Sequence, residues 1–234
     1  MKRLAPAIGF DLSRADRDDA AWLALRQAQG WADAERLADI AARAVVVVLF
    51  SLMAMRFGAD FLATGRITGL LLLVSEVLVV ALTVLRRSAA AVDRSLRARL
   101  LTALSMLGPP LLQPGHFAAL VPETMTVALS AAGLAIVIAG KLTLGRSFGL
   151  MPANRGVVSS GVYRLVRHPI YMGYLLTHVA FLAANPGAWN IAALCATDAA
   201  LLARAVCEEQ TLAKDARYRE YRQQVRWRVC PGVF

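Results

Sequence analysis

Long apolar runs separated by short, mostly basic segments dominate the chain. A membrane-crossing helix needs about 17 to 25 largely apolar residues, and residues 40–57, 67–85, 124–144 and 188–206 meet that requirement. Two further runs are shorter. Residues 98–112 run into Gly108-Pro109-Pro110, and residues 170–184 are cut off by Asn185-Pro186-Gly187, so each is a candidate for a tilted or interfacial helix. The pattern predicts an all-α, polytopic transmembrane helix bundle of six helices, with five as the alternative.

The polar positions between the runs favour six. Segment 86–99 carries Arg86, Arg87, Arg94, Arg97 and Arg99 against Asp93; segment 145–169 carries Arg146, Arg155, Arg164 and Arg167 with no acid; the tail after 206 is also basic. Connections 113–123 and 185–187 contain no Lys or Arg. Basic connections stay in the cytoplasm, which puts both termini inside. The first loop, with Arg56 and Arg66, is mildly discordant.

Composition agrees with a bilayer. The 234 residues are 58% hydrophobic with a mean hydropathy of +0.53, yet the formal net charge is +10. That is too apolar for an ordinary soluble domain, and the long uncharged runs argue against a nucleic-acid partner. The expected neighbours are membrane lipids.

Three regions follow. Residues 1–39 form a cytoplasmic N-terminal extension in which Trp22, Leu23, Leu25, Trp31 and Leu37 recur at roughly helical spacing, continuing to Ile40. A helix lying on the membrane is one reading; a plain polar extension fits the even charge balance better. No cleavable signal peptide is expected, because the first apolar run is short and acidic residues follow it. Residues 40–139 hold the N-terminal transmembrane helices, and residues 140–234 carry the chemistry. Cys195, Cys207 and Cys230 fit neither a zinc site nor a redox pair, and Cys230 is one place too far from the end for a prenylation box. No metal is implied.

The first chemical cluster is SSGVYRLVRHPIYMGY. Pro169 suits the first turn of a helix, where its missing N–H costs nothing. The helix then starts near His168, and its free N–H groups beside Arg164 and Arg167 would suit a carboxylate or phosphate. The alternative for the arginines is headgroup anchoring. The second cluster is CEEQTLAKDARYREYRQQVRWRVCPGVF. Glu208 and Glu209 fall where the last span ends and are poor anchors among basic flanks. Adjacent helix positions point differently, so one carboxylate should face the site and the other solvent or an arginine. Tyr218 and Tyr221 stand at i, i+3 on a short amphipathic helix, followed by Arg222, Arg226 and Arg228.

The ordered occurrence of R-H-P-x-Y-x-G, then E-E, then Y-x-x-Y-x-x-x-V and a terminal Pro resembles the isoprenylcysteine carboxyl methyltransferases and the wider group of integral-membrane methyltransferases around them, phospholipid- and thiol-methylating members included. The resemblance covers about residues 140–231. It implies an S-adenosylmethionine site enclosed by the last two membrane helices and the C-terminal segment, open to the cytoplasm for the cofactor and sideways for a lipophilic or small-molecule methyl acceptor. Carried over by position, Arg167, His168, Pro169, Tyr171 and Gly173 match the cofactor motif. Glu208 and Glu209 match the acidic pair, and Tyr218 and Tyr221 the closing segment.

Methyl transfer is an in-line displacement at an already activated carbon, so alignment and exclusion of water are the protein's main tasks. A carboxylate acceptor needs only an arginine, and Arg222, Arg226 and Arg228 are the candidates. An amine or thiol needs a base such as Glu208 or Glu209. His178, seven residues after Tyr171 on about the same helix face, is a candidate for the acceptor cavity. Glu76 and Asp198 lie inside spans, where a structural hydrogen bond is the favoured reading and a functional contact the alternative. Two rival classes stay open. A membrane sterol or steroid reductase using NADPH has a similar Arg-His-x-x-Tyr element, and a non-catalytic scaffold or carrier would use both clusters as anchors. The acceptor and the oligomeric state are left open.

Overall fold

The computed structural model describes residues 37, 39–55, 58–59, 61–63, 67–87, 89, 91–113 and 118–234. The proposed surface helix with Trp22 and Trp31, and the loop arginines Arg56 and Arg66, lie outside the described residues. The chain divides into two compact units, Met1–Val45 and Val46–Phe234. In the first, residues 39–45 are helical, and the Arg43 Nε donates to the Asp39 carboxylate one turn back at 2.7 Å.

The second unit is built of helices. Residues 46–55 form α1; then come α2 (Ile67–Leu85), α3 (Leu96–Leu111), α4 (Glu123–Leu144), α5 (Pro169–Ala184), α6 (Ala188–Leu212) and α7 (Ala216–Gln224). The six predicted runs therefore each contain a helix. By length and composition alone, Glu123–Ser147 and Ala188–Leu212 are apolar and long enough to cross a bilayer, whereas Leu70–Leu85 and Pro169–Ala184 are apolar but shorter.

Three differences from the sequence pattern have physical causes. A two-residue strand pair, Ala91–Val92 (β1) with Ala153–Asn154 (β2), joins the two basic segments antiparallel, Ala91 opposite Asn154. Neither stretch is long enough to show period-2 alternation. Helix α6 continues past 206 to Leu212, because its polar last turns are held by partners on α5 and the C-terminal tail rather than by lipid. Glu208 and Glu209 are thus on the helix. Helix α3 runs through Gly108-Pro109-Pro110 to Leu111, since a proline pair in a final turn interrupts few remaining backbone bonds.

The tightest seam is between α4 and α5. A Cβ built on Gly173 would stand 2.5 Å from the Gly133 carbonyl oxygen, and one on Gly133 would stand 2.8 Å from the Gly173 oxygen. Farther along, a Cβ on Gly140 would meet Ile170 Cγ1 at 2.7 Å. Only glycine permits this approach, and between apolar helices close packing of small residues supplies attraction that water exclusion cannot. Gly173, matched to the cofactor motif by the resemblance, packs closely against the neighbouring helix.

Polar bonds join the loops. Asn190, fully buried, accepts from Gln113 N–H at 3.0 Å and donates to the Gln113 and Asn185 carbonyls at 3.0 and 3.1 Å. It therefore binds together the two connections that lack Lys and Arg. At the opposite ends of the helices, Arg87 N–H donates to Arg146 O at 2.8 Å, and Arg146 Nε donates to Leu85 O at 3.0 Å.

Candidate active site

Pro169 occupies the first turn of α5 with His168 as the preceding cap residue, as the sequence predicts. The C-terminal tail folds back onto this turn. Arg167 N–H donates to Trp227 O at 2.9 Å and His168 N–H to Arg228 O at 2.7 Å. Tyr171 N–H and Met172 N–H both turn to His168 O at 3.1 Å. Those four donors are occupied, which leaves fewer free amides at this helix end than the sequence suggests, and most of the polar capacity here belongs to side chains.

Those side chains form a buried network. Glu209 binds Arg167 Nε at 2.9 Å and Arg228 Nε at 3.1 Å. Glu208 accepts from the Tyr171 hydroxyl at 2.6 Å and pairs with Arg204 at 3.2 Å, one turn back on α6. His168 lies between the carboxylates, its Nδ1 3.6 Å from Glu208 and its Nε2 3.4 Å from Glu209, and its ring stacks on Tyr171 with centroids 5.2 Å apart. Neighbouring glutamates that diverge on their helix thus hold different partners: Glu209 faces arginines, and Glu208 faces Tyr171, Arg204 and the cavities. Buried charges persist only when so compensated.

Two cavities meet at this network. The larger, about 400 Å³, runs along one stripe of α5 made by His168, Tyr171, Tyr174, Thr177, His178 and Phe181. That stripe spans about 13 residues, or roughly 20 Å at the α-helical rise. Its far wall comes from α2, α3, α4 and α6 and is mostly apolar, with Arg204 and Glu208 at the polar end. The smaller, about 100 Å³, is bounded by Arg167, Met151, Val157, Tyr218 and Tyr221. Tyr163, His168 and Glu208 line both.

The three tyrosines of the smaller side pack together with Val225. Tyr221 donates to the Tyr163 carbonyl at 2.7 Å, while the buried Tyr218 hydroxyl has no hydrogen-bond partner among the described residues. Burial raises all three phenols above their ordinary range, with Glu208 adding for Tyr163, Glu209 adding for Tyr218, and Arg167 opposing for Tyr221. They stay neutral donors at physiological pH.

Several sequence candidates fall elsewhere. Arg222 and Arg226 are exposed, and Arg226 lies over the Trp227 ring, 5.0 Å from its centroid. Turning α7 to bury its tyrosines directs Arg222 outward. Arg228 reaches inward, but to hold Glu209. His178 lines the larger cavity and bonds Asp198 at 2.6 Å, which gives Asp198 the structural bond expected of it. The residue missed by sequence reading is Arg204. It is buried, donates to the Leu150 carbonyl, and places its guanidinium 5.5 Å from the Tyr171 ring centroid. Its signal was an arginine four residues before Glu208 inside an apolar run. Tyr163, just upstream of Arg167, was likewise overlooked.

Residues 124–214 match the sequence profile of the isoprenylcysteine carboxyl methyltransferase (ICMT) family. This region is an ICMT-family region. The match takes in α4, α5 and α6 with Arg167 through Gly173, Arg204, Glu208 and Glu209; it ends before Tyr218, and α2 lies outside it. No curated protein matches the chain. Together with two helices of membrane-crossing length among the described residues, the ICMT-family region supports a membrane methyltransferase of the ICMT type over the reductase and scaffold readings.

Proposed function

We propose that the protein transfers a methyl group from S-adenosylmethionine to a lipophilic or small acceptor within a six-helix membrane bundle. Both termini and the catalytic end of the bundle face the cytoplasm, the side of the basic segments joined by β1 and β2. The observation that carries this reading is the meeting of a smaller, more polar cavity and a long apolar one at Tyr163, His168 and Glu208. A water-soluble cofactor and a lipid-soluble acceptor need separate approaches that converge on one point.

The residues fit the cofactor. The buried Tyr218 hydroxyl lacks a partner, a state that normally signals a missing donor or acceptor, and a nucleoside offers both. Arg167, His168, Tyr218 and Tyr221 would hold the cofactor, with Glu209 acting as a positioning residue because Arg167, Arg228 and His168 already engage it. When bound, S-adenosylmethionine would supply a methyl carbon activated by its sulfonium, open to in-line attack by an acceptor atom with the thioether of S-adenosylhomocysteine as the leaving group.

The chain's own contribution is alignment and charge placement. Arg204, at the polar end of the acceptor cavity, can orient an anionic or polar acceptor head. Glu208 can take a proton from an amine or thiol, while Tyr171 and Arg204 fix the carboxylate in place. His178 lines the acceptor cavity farther along α5. The apolar walls keep bulk water from the junction.

Calorimetric titration of S-adenosylhomocysteine into the detergent-purified full-length protein, with NADPH in parallel, tests the class. Saturable binding of the homocysteine compound alone is expected, weakened by His168→Ala and Glu208→Ala without loss of fold. Binding of NADPH alone would replace this reading with the reductase.

A further inference from the structure

One carboxylate on the wall of the acceptor cavity has no role in the methyl-transfer end. Glu76, on α2 and outside the ICMT-family region, is more than nine-tenths buried and lines the larger cavity. Its Oε2 is buried without a hydrogen-bond partner among the described residues. It stands about nine residues before the end of α2 at Leu85, roughly 14 Å at the helical rise, so water from the basic side of the bundle is distant.

The nearest cation does not satisfy it. Lys141, fully buried on α4, donates to Ser75 O at 3.1 Å and to Ser75 Oγ at 2.7 Å, and faces the Tyr174 ring 5.9 Å from its centroid. No ion pair joins Lys141 to Glu76 among the described residues. Two bonds to the residue adjacent to Glu76 fix the lysine and leave the carboxyl facing the cavity. A carboxyl in an apolar wall costs free energy unless a donor reaches it, and no hydrogen-bond donor among the described residues reaches Glu76 Oε2.

We infer that the Glu76 carboxyl is an acceptor-binding subsite that takes a hydrogen-bond donor, a hydroxyl or amine, carried within the hydrophobic body of the methyl acceptor. This rests on the proposed function and narrows it. The favoured acceptor is an amphiphile with two polar points, one at the Arg204–Glu208 junction and one farther along the cavity, rather than a cysteine bearing a plain hydrocarbon chain. A plain chain would leave Glu76 without a donor.

The test uses the full-length protein and sixteen-carbon S-alkyl cysteines: the plain chain, chains with one hydroxyl at successive carbons, and the matching amine series. Each is titrated calorimetrically with and without S-adenosylhomocysteine. One hydroxyl or amine position is expected to bind roughly tenfold more tightly than the plain chain, and the series in which it appears identifies the donor. Glu76→Leu should abolish the preference, and Glu76→Gln, which keeps an acceptor carbonyl, should retain part of it. Equal affinity across the series, absence of binding throughout, or a preference that survives Glu76→Leu would overturn the subsite. Binding of S-adenosylhomocysteine itself is read separately, so failure of the methyltransferase reading is distinguishable from failure of the subsite.

Discussion

Within the single motif from Arg167 to Gly173, the first turn of α5 and its glycine face meet opposite surroundings. At the first turn, Arg167, His168 and Tyr171 are held by carboxylates from α6. At Gly173 no polar side chain is involved, and the backbone of α4 comes close enough to exclude even a methyl group. The difference teaches that a short, chemically suggestive motif can serve two purposes. Its charged part builds the site, while its glycine sets the distance between helices that keeps the site in place.

The largest effect should come from breaking the charged end. Glu209→Ala leaves Arg167 buried without its carboxylate, which should cost about 3–5 kcal/mol and lower the thermal midpoint in detergent sharply. An unchanged midpoint would show that the network does not hold the first turn. Gly173→Val attacks the other end: overpacking should cost about 1–3 kcal/mol, while the fraction that folds still binds S-adenosylhomocysteine. A loss of binding in folded Gly173→Val protein would return this glycine to the cofactor site.

Tyr218→Phe sharpens the comparison with less perturbation. Removing a buried hydroxyl without a partner should leave the midpoint unchanged and weaken S-adenosylhomocysteine by about 3- to 10-fold; unaltered affinity would place Tyr218 outside the pocket. The same variant has a pH signature. Burial raises the phenol in the folded state, so its neutral form is favoured there. The associated stability is complete below the unfolded value of about 10 and declines as pH rises above it. Tyr218→Phe should therefore show a shallower fall of the midpoint above about pH 10 than the parent. The smallest effect is expected at the exposed arginines: Arg222→Ala and Arg226→Ala should each change stability by less than about 0.5 kcal/mol and leave methyl transfer intact. A large loss of turnover would bring α7's outer face into the reaction.

Much of this was legible along the chain. The helices found within the apolar runs follow from those runs, because a bilayer or a buried seam demands continuous hydrophobic length whatever the tertiary arrangement. The start of α5 follows from Pro169, whose ring suits a first turn. The grouping of Arg167, His168, Tyr171, Glu208 and Glu209 was anticipated from a motif resemblance, and the chain's own geometry brings them within bonding distance. Which C-terminal arginine turns inward was not legible, since Arg222 lies on α7 whereas Arg226 and Arg228 follow it, and their directions depend on how α7 docks its tyrosines and how the tail folds back onto α5.

Sequence by itself determined the helical class, the basic-segment asymmetry and the inventory of charged groups in apolar surroundings, because each is a property of local composition and period. Only the tertiary structure decided partners. It gave Gly173 to α4 and occupied the Arg167 and His168 amides, just before α5, with the C-terminal tail. It brought Arg204 beside Glu208 at the cavity junction and left Glu76 on the cavity wall without a hydrogen-bond donor among the described residues. Partner choice depends on which faces of separate helices meet, and that is fixed by the summed packing of many residues distant in the chain.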